Sequence, residues 1–377
     1  MSMVSLPNLG LLIKEISKSN NLPEQVVQDA LRDALFKGYE RFRRSQNQGT
    51  FAEEYFDNFQ VELDIDEEGF RVLCLKKVKE KVKNPDHEIS LSAVQEFNED
   101  VQLGDEVVVD VTPEQKEFGR MAAIQTKQVL QQKLRDQQRV MIQSEFQELE
   151  GTVLQAKVLR FEGQSVIMTI QSAYGQPEVE AELPRHEQIN SDNYRANASF
   201  KVYLKKIRQG SQKGPQLVVS RADAGLVVYL FANEVPEFEE GIIRIVAITR
   251  EANPTNRYIT PRTKMAVDSS DPDVDAVGSC IGARGSRIQA VVNELKGERI
   301  DVIRWSEDPA RYIAEALSPA KVDLVKLIDT EEQHALVVVA DNQLSLAIGK
   351  EGQNVRLAAR LTGWKIDIKR KSEYRDE

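Results

Sequence analysis

Apolar positions near the start of the chain recur at the helical period. Val27, Leu31, Leu35, Tyr39 and Phe42 follow at intervals of four, four, four and three, which puts them on one face of a helix. Pro23 followed by Glu24 suits its start, where a missing N–H costs nothing and an acid meets the positive end of the dipole. Arg41, Arg43 and Arg44 suit its C-terminal end. The period then drops to two. Phe59, Val61, Leu63 and Ile65 alternate with Gln60, Glu62 and Asp64, and a turn at Glu67-Glu68-Gly69 leads to Phe70, Val72 and Cys74, the pattern of a hairpin. Val107 to Val111 reads as a further strand after the Gly104-Asp105 turn. From about Pro113 to Leu149 there is no Pro or Gly after Gly119, and the apolar positions (Phe118, Ala122, Val129, Leu134, Met141, Phe146) keep no heptad. That predicts a long helix tying one domain to the next rather than a coiled coil.

Beyond Gly151 the pattern predicts strands: Thr152–Arg160, Val166–Ile170, Val179–Leu183, Ser199–Arg208 and Gln216–Arg221, separated by Gly, Pro, Asn and Ser. Five strands in about 70 residues fit the five-stranded barrel of the OB type better than a seven-stranded sandwich. Past residue 222 helices and strands alternate, and the chain repeats itself. Ile281-Gly282-Ala283-Arg284-Gly285-Ser286-Arg287-Ile288 recurs 67 residues later as Ile348-Gly349-Lys350-Glu351-Gly352-Gln353-Asn354-Val355. Each copy runs into an amphipathic stretch and ends in a strand, Arg299-Ile300-Asp301-Val302 and Lys365-Ile366-Asp367-Ile368. The context repeats with the motif, which marks a duplicated domain.

A length of 377 residues exceeds a single hydrophobic core, which stops growing at about 250–300 residues, so two to four modules are expected. No run approaches the ~20 apolar residues of a membrane span, and the first residues lack a signal-peptide pattern, Lys14 and Glu15 interrupting it early. Only Cys74 and Cys280 occur, with no CxxC, and His87, His186 and His334 are scattered, so neither a disulfide framework nor a zinc site is expected. These features predict a cytoplasmic protein without cofactor or metal.

The net charge of −10 weighs against nucleic acid only while it is treated as uniform. Met1 to Asp110 holds thirteen cations and twenty-two acids, a local charge of −9, which suits a protein-docking surface. Arg195 to Arg221 holds seven cations (Arg195, Lys201, Lys205, Lys206, Arg208, Lys213 and Arg221) and no acid. Gln343 to Ser372 carries seven cations against Glu351 and Asp367, a balance of +5. The separation predicts an acidic head and basic RNA-binding modules.

The repeated G-x-x-G suits that chemistry. Two glycines open backbone angles closed to other residues and clear side chains from the surface, so a nucleic-acid backbone can lie against main chain at the start of the second helix. It is also the loop with which KH domains clamp single strands. A lone G-x-x-G is commonly just a tight connection; two in matched context, downstream of an OB-like barrel, favour RNA. Neither G-x-G-x-x-G nor G-x-x-x-x-G-K-[ST] occurs, which leaves a nucleotide-binding enzyme without support. The expected RNA-binding residues are Gly282, Ala283, Arg284, Gly285 and Arg287 in the first copy, Gly349, Lys350, Glu351, Gly352, Asn354 and Arg356 in the second, and Lys201, Tyr203, Lys205 and Arg208 on the barrel. Lys201, Tyr203 and Lys205 share one strand face, and Tyr203 and Phe161 are the candidate stacking platforms. No catalytic constellation is present: Cys280 has no His nearby and reads as a packing residue.

With these modules in order, the chain resembles the NusA family of bacterial transcription factors. The most selective stretches are Leu230-Phe231-Ala232-Asn233-Glu234-Val235-Pro236-Glu237, Val277-Gly278-Ser279-Cys280-Ile281-Gly282-Ala283-Arg284-Gly285, and Trp305-Ser306-Glu307-Asp308-Pro309-Ala310 with Ala316-Leu317-Ser318-Pro319-Ala320. The resemblance implies a multidomain α+β chain: an α/β N-terminal domain with linker helix (1–148), an S1 barrel of OB type (149–222), and two tandem KH domains of the prokaryotic type II, α-β-β-α-α-β (223–306 and 307–377). It implies a non-enzymatic cytoplasmic regulator, monomeric, whose N-terminal domain binds RNA polymerase core while S1 and KH domains hold nascent single-stranded RNA. Such a regulator promotes pausing and intrinsic termination and takes part in antitermination with other Nus-type factors.

The alternative is a KH/S1 RNA-processing or degradation enzyme component. Those enzymes place KH before S1 behind large catalytic domains, an order this chain reverses. Three departures from the family stand out. Arg250-Glu251 is followed by a longer connection, Ala252 to Pro261, before Arg262 and Lys264; extra residues surround Tyr174-Gly175-Gln176-Pro177; and the acidic C-terminal repeats of some relatives are absent after Glu377, so no autoinhibition by such a tail is expected.

Overall fold

The structure is a computed structural model that describes residues 3–20, 22–46, 51, 53–98, 100–173, 175–209, 214–256 and 258–374, with side chains at all of these but 53, 117, 119–123 and 125. Tyr174 and Lys213 lie outside the described residues. The chain forms two compact units, Met1–Ser144 and Glu145–Glu377. No helix among the described residues is long and apolar enough to cross a membrane.

In the first unit, strands β1 (Val4–Ser5), β2 (Phe59–Asp64), β3 (Gly69–Lys79), β4 (Glu88–Ser90) and β5 (Glu106–Asp110) form one sheet in which β3 pairs with all the others. Helices α1 (Leu9–Asn20) and α2 (Glu24–Gln46) supply its cover, α3 (Leu91–Gln95) follows β4, and α4 (Gln115–Phe146) leads onward. The five residues of the predicted stripe on α2 are all buried, packed with Phe59, Val61, Phe70, Val72 and Cys74 of the sheet. Each such side chain contributes about 1.5–3 kcal/mol. Helix α1 has no clean signature, because Leu11 and Leu12 are exposed while Leu9 and Ile13 are buried, so the apolar run does not reduce to one stripe.

The second unit begins with a closed barrel of β6 (Val153–Glu162), β7 (Ser165–Ile170), β8 (Val179–Leu183), β9 (Ser199–Ile207) and β10 (Leu217–Ser220), in the order β10-β8-β7-β6-β9. Ala156, Val158, Val166, Met168, Ile170, Ala181, Leu183, Val202 and Leu204 are buried, as expected of a small barrel filled by its own side chains. Next come α5 (Ala224–Glu234), β11 (Ile243–Glu251), β12 (Arg262–Ser269), α6 (Ala276–Ile281), α7 (Ser286–Glu294) and β13 (Arg299–Arg304). The same α-β-β-α-α-β series returns as α8 (Pro309–Ala316), β14 (Val322–Asp329), β15 (His334–Val339), α9 (Leu344–Ile348), α10 (Gln353–Thr362) and β16 (Lys365–Arg370). In each sheet the middle strand is antiparallel to the strand before it and parallel to the one after the helices, the type II KH arrangement.

Strand β12 is buried on both faces. Met265 and Val267 join the core beneath α5, α6 and α7, while Ala266 belongs to the core of the second repeat, with Ala358 and Leu361 of α10. The two KH domains are therefore packed together, α10 lying on β11 and β12. Asp223 and Asp308 cap α5 and α8, their carboxylates accepting from Gly225 N and Ala310 N at 3.0 and 3.1 Å.

Candidate nucleic-acid interface

Both G-x-x-G segments have the same backbone. Gly282 and Gly349 have φ of 75° and 77° with ψ of 173° and 172°, angles open only to glycine. Arg284 and Glu351 are left-handed at φ 54° and 51°, and Gly285 and Gly352 at 78° and 73°. The last glycine of each turn is the N-cap of the following helix, α7 or α10, and no side chain caps either. Ser286 N and Gln353 N donate back to Ala283 O and Lys350 O within the turns, and the positive end of each helix dipole favours an anion beside them.

The expected cations divide into two groups. Arg284 and Lys350 are exposed in the turns, with no ion-pair partner among the described residues. Arg287 is drawn back: Nη1 donates to both carboxylate oxygens of Glu237 at 3.0 and 3.1 Å and to Ser279 O at 2.7 Å. Asn354, the equivalent residue 67 positions on, is fully buried and donates through Nδ2 to Leu317 O, Ala347 O and Leu346 O at 2.9, 3.1 and 3.3 Å. Ser279 and Leu346 are equivalent too, so both side chains tie the turn to the helix before it. Arg356 is half-buried, with Nη2 held 2.9 Å from both oxygens of Glu251.

Of the barrel residues, Tyr203 and Lys205 meet the first KH domain, and Lys205 and Arg208 are engaged in ion pairs. Lys205 pairs with Glu187 at 2.6 Å and Asp223 at 3.3 Å, and Arg208 with Glu182 at 2.6 Å. Tyr203 packs against α5 so closely that a Cβ on Gly225 would overlap its ring, so the helix takes up part of that ring. Lys201 is half-buried, its carbonyl accepting from Arg221 at 2.9 Å. Arg221 is wholly buried between Asp192 and Glu294. Three of the seven cations of the run Arg195–Arg221, namely Lys205, Arg208 and Arg221, are therefore paired with acids outside it, and the free charge there is smaller than the local count. Phe161, by contrast, is 56% exposed at the far end of β6. A cleft of about 470 Å³ at this junction, lined by His186, Glu187, Lys205, Asp223, Arg250 and Glu251, has its charges already paired. Lys205 holds Glu187, and Arg250 spends its guanidinium on Glu298 and the carbonyls of Arg221 and Asp223, so the cleft is a poor seat for phosphate.

The long connection after β11 is well anchored. Ala252, Pro254 and Ile259 are buried, Asn253 bonds the Gln188 carbonyl and accepts from Asn190 N at 3.2 Å, and Thr260 O accepts from Gln353 Nε2 at 3.1 Å. The basic residues after it do not face outward: Arg262 and Lys264 both reach Asp301 Oδ2, at 2.7 and 2.9 Å. Cys280 is fully buried, and burial pushes its thiol up to about 12, which disables it as a nucleophile.

An S1-type barrel followed by two type II KH domains defines a class of multidomain protein built from nucleic-acid-binding modules. Family models match along the chain: the NusA N-terminal domain over residues 8–140, the NusA-like first KH domain over 221–305 and the NusA-like second KH domain over 309–376. The chain is 40% identical to the transcription termination/antitermination protein NusA of Bacillus subtilis over 362 residues, 96% of this chain and 90% of that one. It is 40% identical to the protein of the same name from Halalkalibacterium halodurans, covering 96% of this chain and 87% of the relative, and 41% identical to that of Thermus thermophilus, covering 91% and 83%. The chain belongs to the NusA family.

Proposed function

We propose that this protein is a transcription elongation regulator that binds RNA polymerase and nascent single-stranded RNA, promotes pausing and intrinsic termination, and takes part in antitermination with other Nus-type factors. The observation that carries the reading is the duplicated turn. The same sequence of φ angles, an uncapped helix N-terminus and an exposed cation, Arg284 or Lys350, occur twice in adjoining domains. One turn offers a few amides and one charge; two on one body raise the effective concentration of the second contact once the first is made. The acidic N-terminal domain, with its local charge of −9, is the part suited to a protein partner rather than to a polyanion. Nothing in this reading asks for a reaction on the RNA.

The test is a titration of full-length protein against labelled single-stranded oligoribonucleotide, comparing wild type with Ala283→Asp, Lys350→Asp and the double variant. Each single change puts a carboxylate into a turn at an exposed position. Affinity should fall about tenfold or more for each, with a shallower salt dependence. Unchanged affinity in the double variant would remove the turns from the RNA interface.

A further inference from the structure

The two turns differ in charge. Counting 67 residues on from Arg284 reaches Glu351, in the same left-handed conformation. Where the first turn carries a guanidinium, the second carries a carboxylate beside Lys350, at the mouth of a helix whose N-terminus suits an anion. A carboxylate free to move there would repel a phosphate, and one unit charge about 6 Å away in water is enough for roughly a threefold change in affinity.

Glu351 is held from the first KH domain. Asn256 Nδ2 donates to Glu351 Oε1 at 2.6 Å. Arg356 Nη1 donates to the Glu351 carbonyl at 3.1 Å, and the Nη2 of the same arginine is bound by Glu251. Glu251 ends β11 and Asn256 lies in the middle of the connection from Ala252 to Pro261, whose anchors on the barrel, Asn253 to Gln188 and Asn190, give it a fixed footing. The contact thus runs from the barrel, through the first KH domain, to the second turn.

We propose that Asn256 is a positioning residue for RNA binding: it retains the Glu351 carboxylate on the first KH domain and so keeps a like charge out of the phosphate seat of the second turn. This rests on the reading of the turns as RNA seats. Asn256→Ala releases the carboxylate, and Asn256→Asp adds a second one that drives it away.

The experiment is the full-length titration with fluorescein-labelled oligo(A) and oligo(U), extended to Asn256→Ala, Asn256→Asp, Glu351→Gln and the Asn256→Ala/Glu351→Gln pair. Asn256→Ala should weaken binding by about threefold to tenfold and Asn256→Asp by more. Glu351→Gln removes the carboxylate itself, and in its background Asn256→Ala should have no further effect. Wild-type affinity for Asn256→Ala overturns the inference, as does an equal loss with and without the Glu351 carboxylate, which would mark Asn256 as merely structural. Retained sensitivity to Ala283→Asp in either case leaves the RNA reading standing, whereas a wild type that binds neither oligonucleotide overturns both.

Discussion

A Cβ placed on Gly349 would lie 2.8 Å from the backbone nitrogen of Asn354. A side chain's far end can give way, but main chain at the head of a helix cannot do so cheaply. The first glycine of the turn is therefore demanded by the fold before any ligand arrives. With φ at +77° added, Gly349→Ala should lower the free energy of unfolding by about 1–3 kcal/mol in a urea titration. At Gly352 the nearest atom to a Cβ is Val355 Cγ1 at 3.9 Å, so only the backbone strain remains and the loss should be smaller. Acidic substitutions at Gly282 or Gly349, an obvious way to disable the turns from the motif alone, would confuse folding with binding. The exposed middle positions avoid that.

Arg221 and Asp192 form an ion pair with both side chains wholly buried, Nε to Oδ2 at 2.9 Å, and the same guanidinium reaches Glu294 of α7. Removing one partner strands the other's charge in the interior. Arg221→Ala should cost about 3–5 kcal/mol, read as a fall in the denaturation midpoint of the full chain. It should do so without the altered salt dependence of RNA binding expected from loss of an exposed cation.

Lys264 lies fully buried between the KH domains, and burial pushes its ammonium down to about 8 despite Asp301 beside it. An unfolded lysine titrates near 10.4. Between those values the unfolded chain binds the extra proton, so stability must rise with pH across that window. The penalty of keeping the charge buried is fully present below about pH 8 and gone above about 10.4. Compared with Lys264→Met, wild type should gain on the order of 2–3 kcal/mol between pH 7.5 and 10.4. A constant difference across that range would remove the effect.

The first unit, Met1–Ser144, has its own core and should fold in isolation. Expressed alone, it should co-purify with RNA polymerase core and bind single-stranded RNA poorly, with residues 145–377 showing the reverse. An RNA-binding head or an unbound polymerase would contradict the proposed division of labour.

How far the sequence spoke for itself follows from the range of each interaction. The stripe on α2, the alternation in the barrel strands and the repeated G-x-x-G depend on neighbours a few residues apart or on duplication, and all are legible along the chain. Helix α1 is not, because Leu11 and Leu12 blur its face. The fate of the charges is not legible either. Arg287 and Asn354 look alike as turn residues, and only packing shows each tied to the preceding helix. Tyr203 and Lys205 look unengaged on an open strand until the structure shows Tyr203 packed on α5 and Lys205 paired with Glu187.

The amino-acid sequence by itself determined the modules, their order and the two turns, because periodicity and glycine geometry are local. Only the tertiary structure decided which cations remain free. The acids that neutralise Lys205, Arg208, Arg221 and Arg356 come from residues 18, 26, 29 and 105 positions away, and a charge becomes a binding surface only when folding leaves it unpaired.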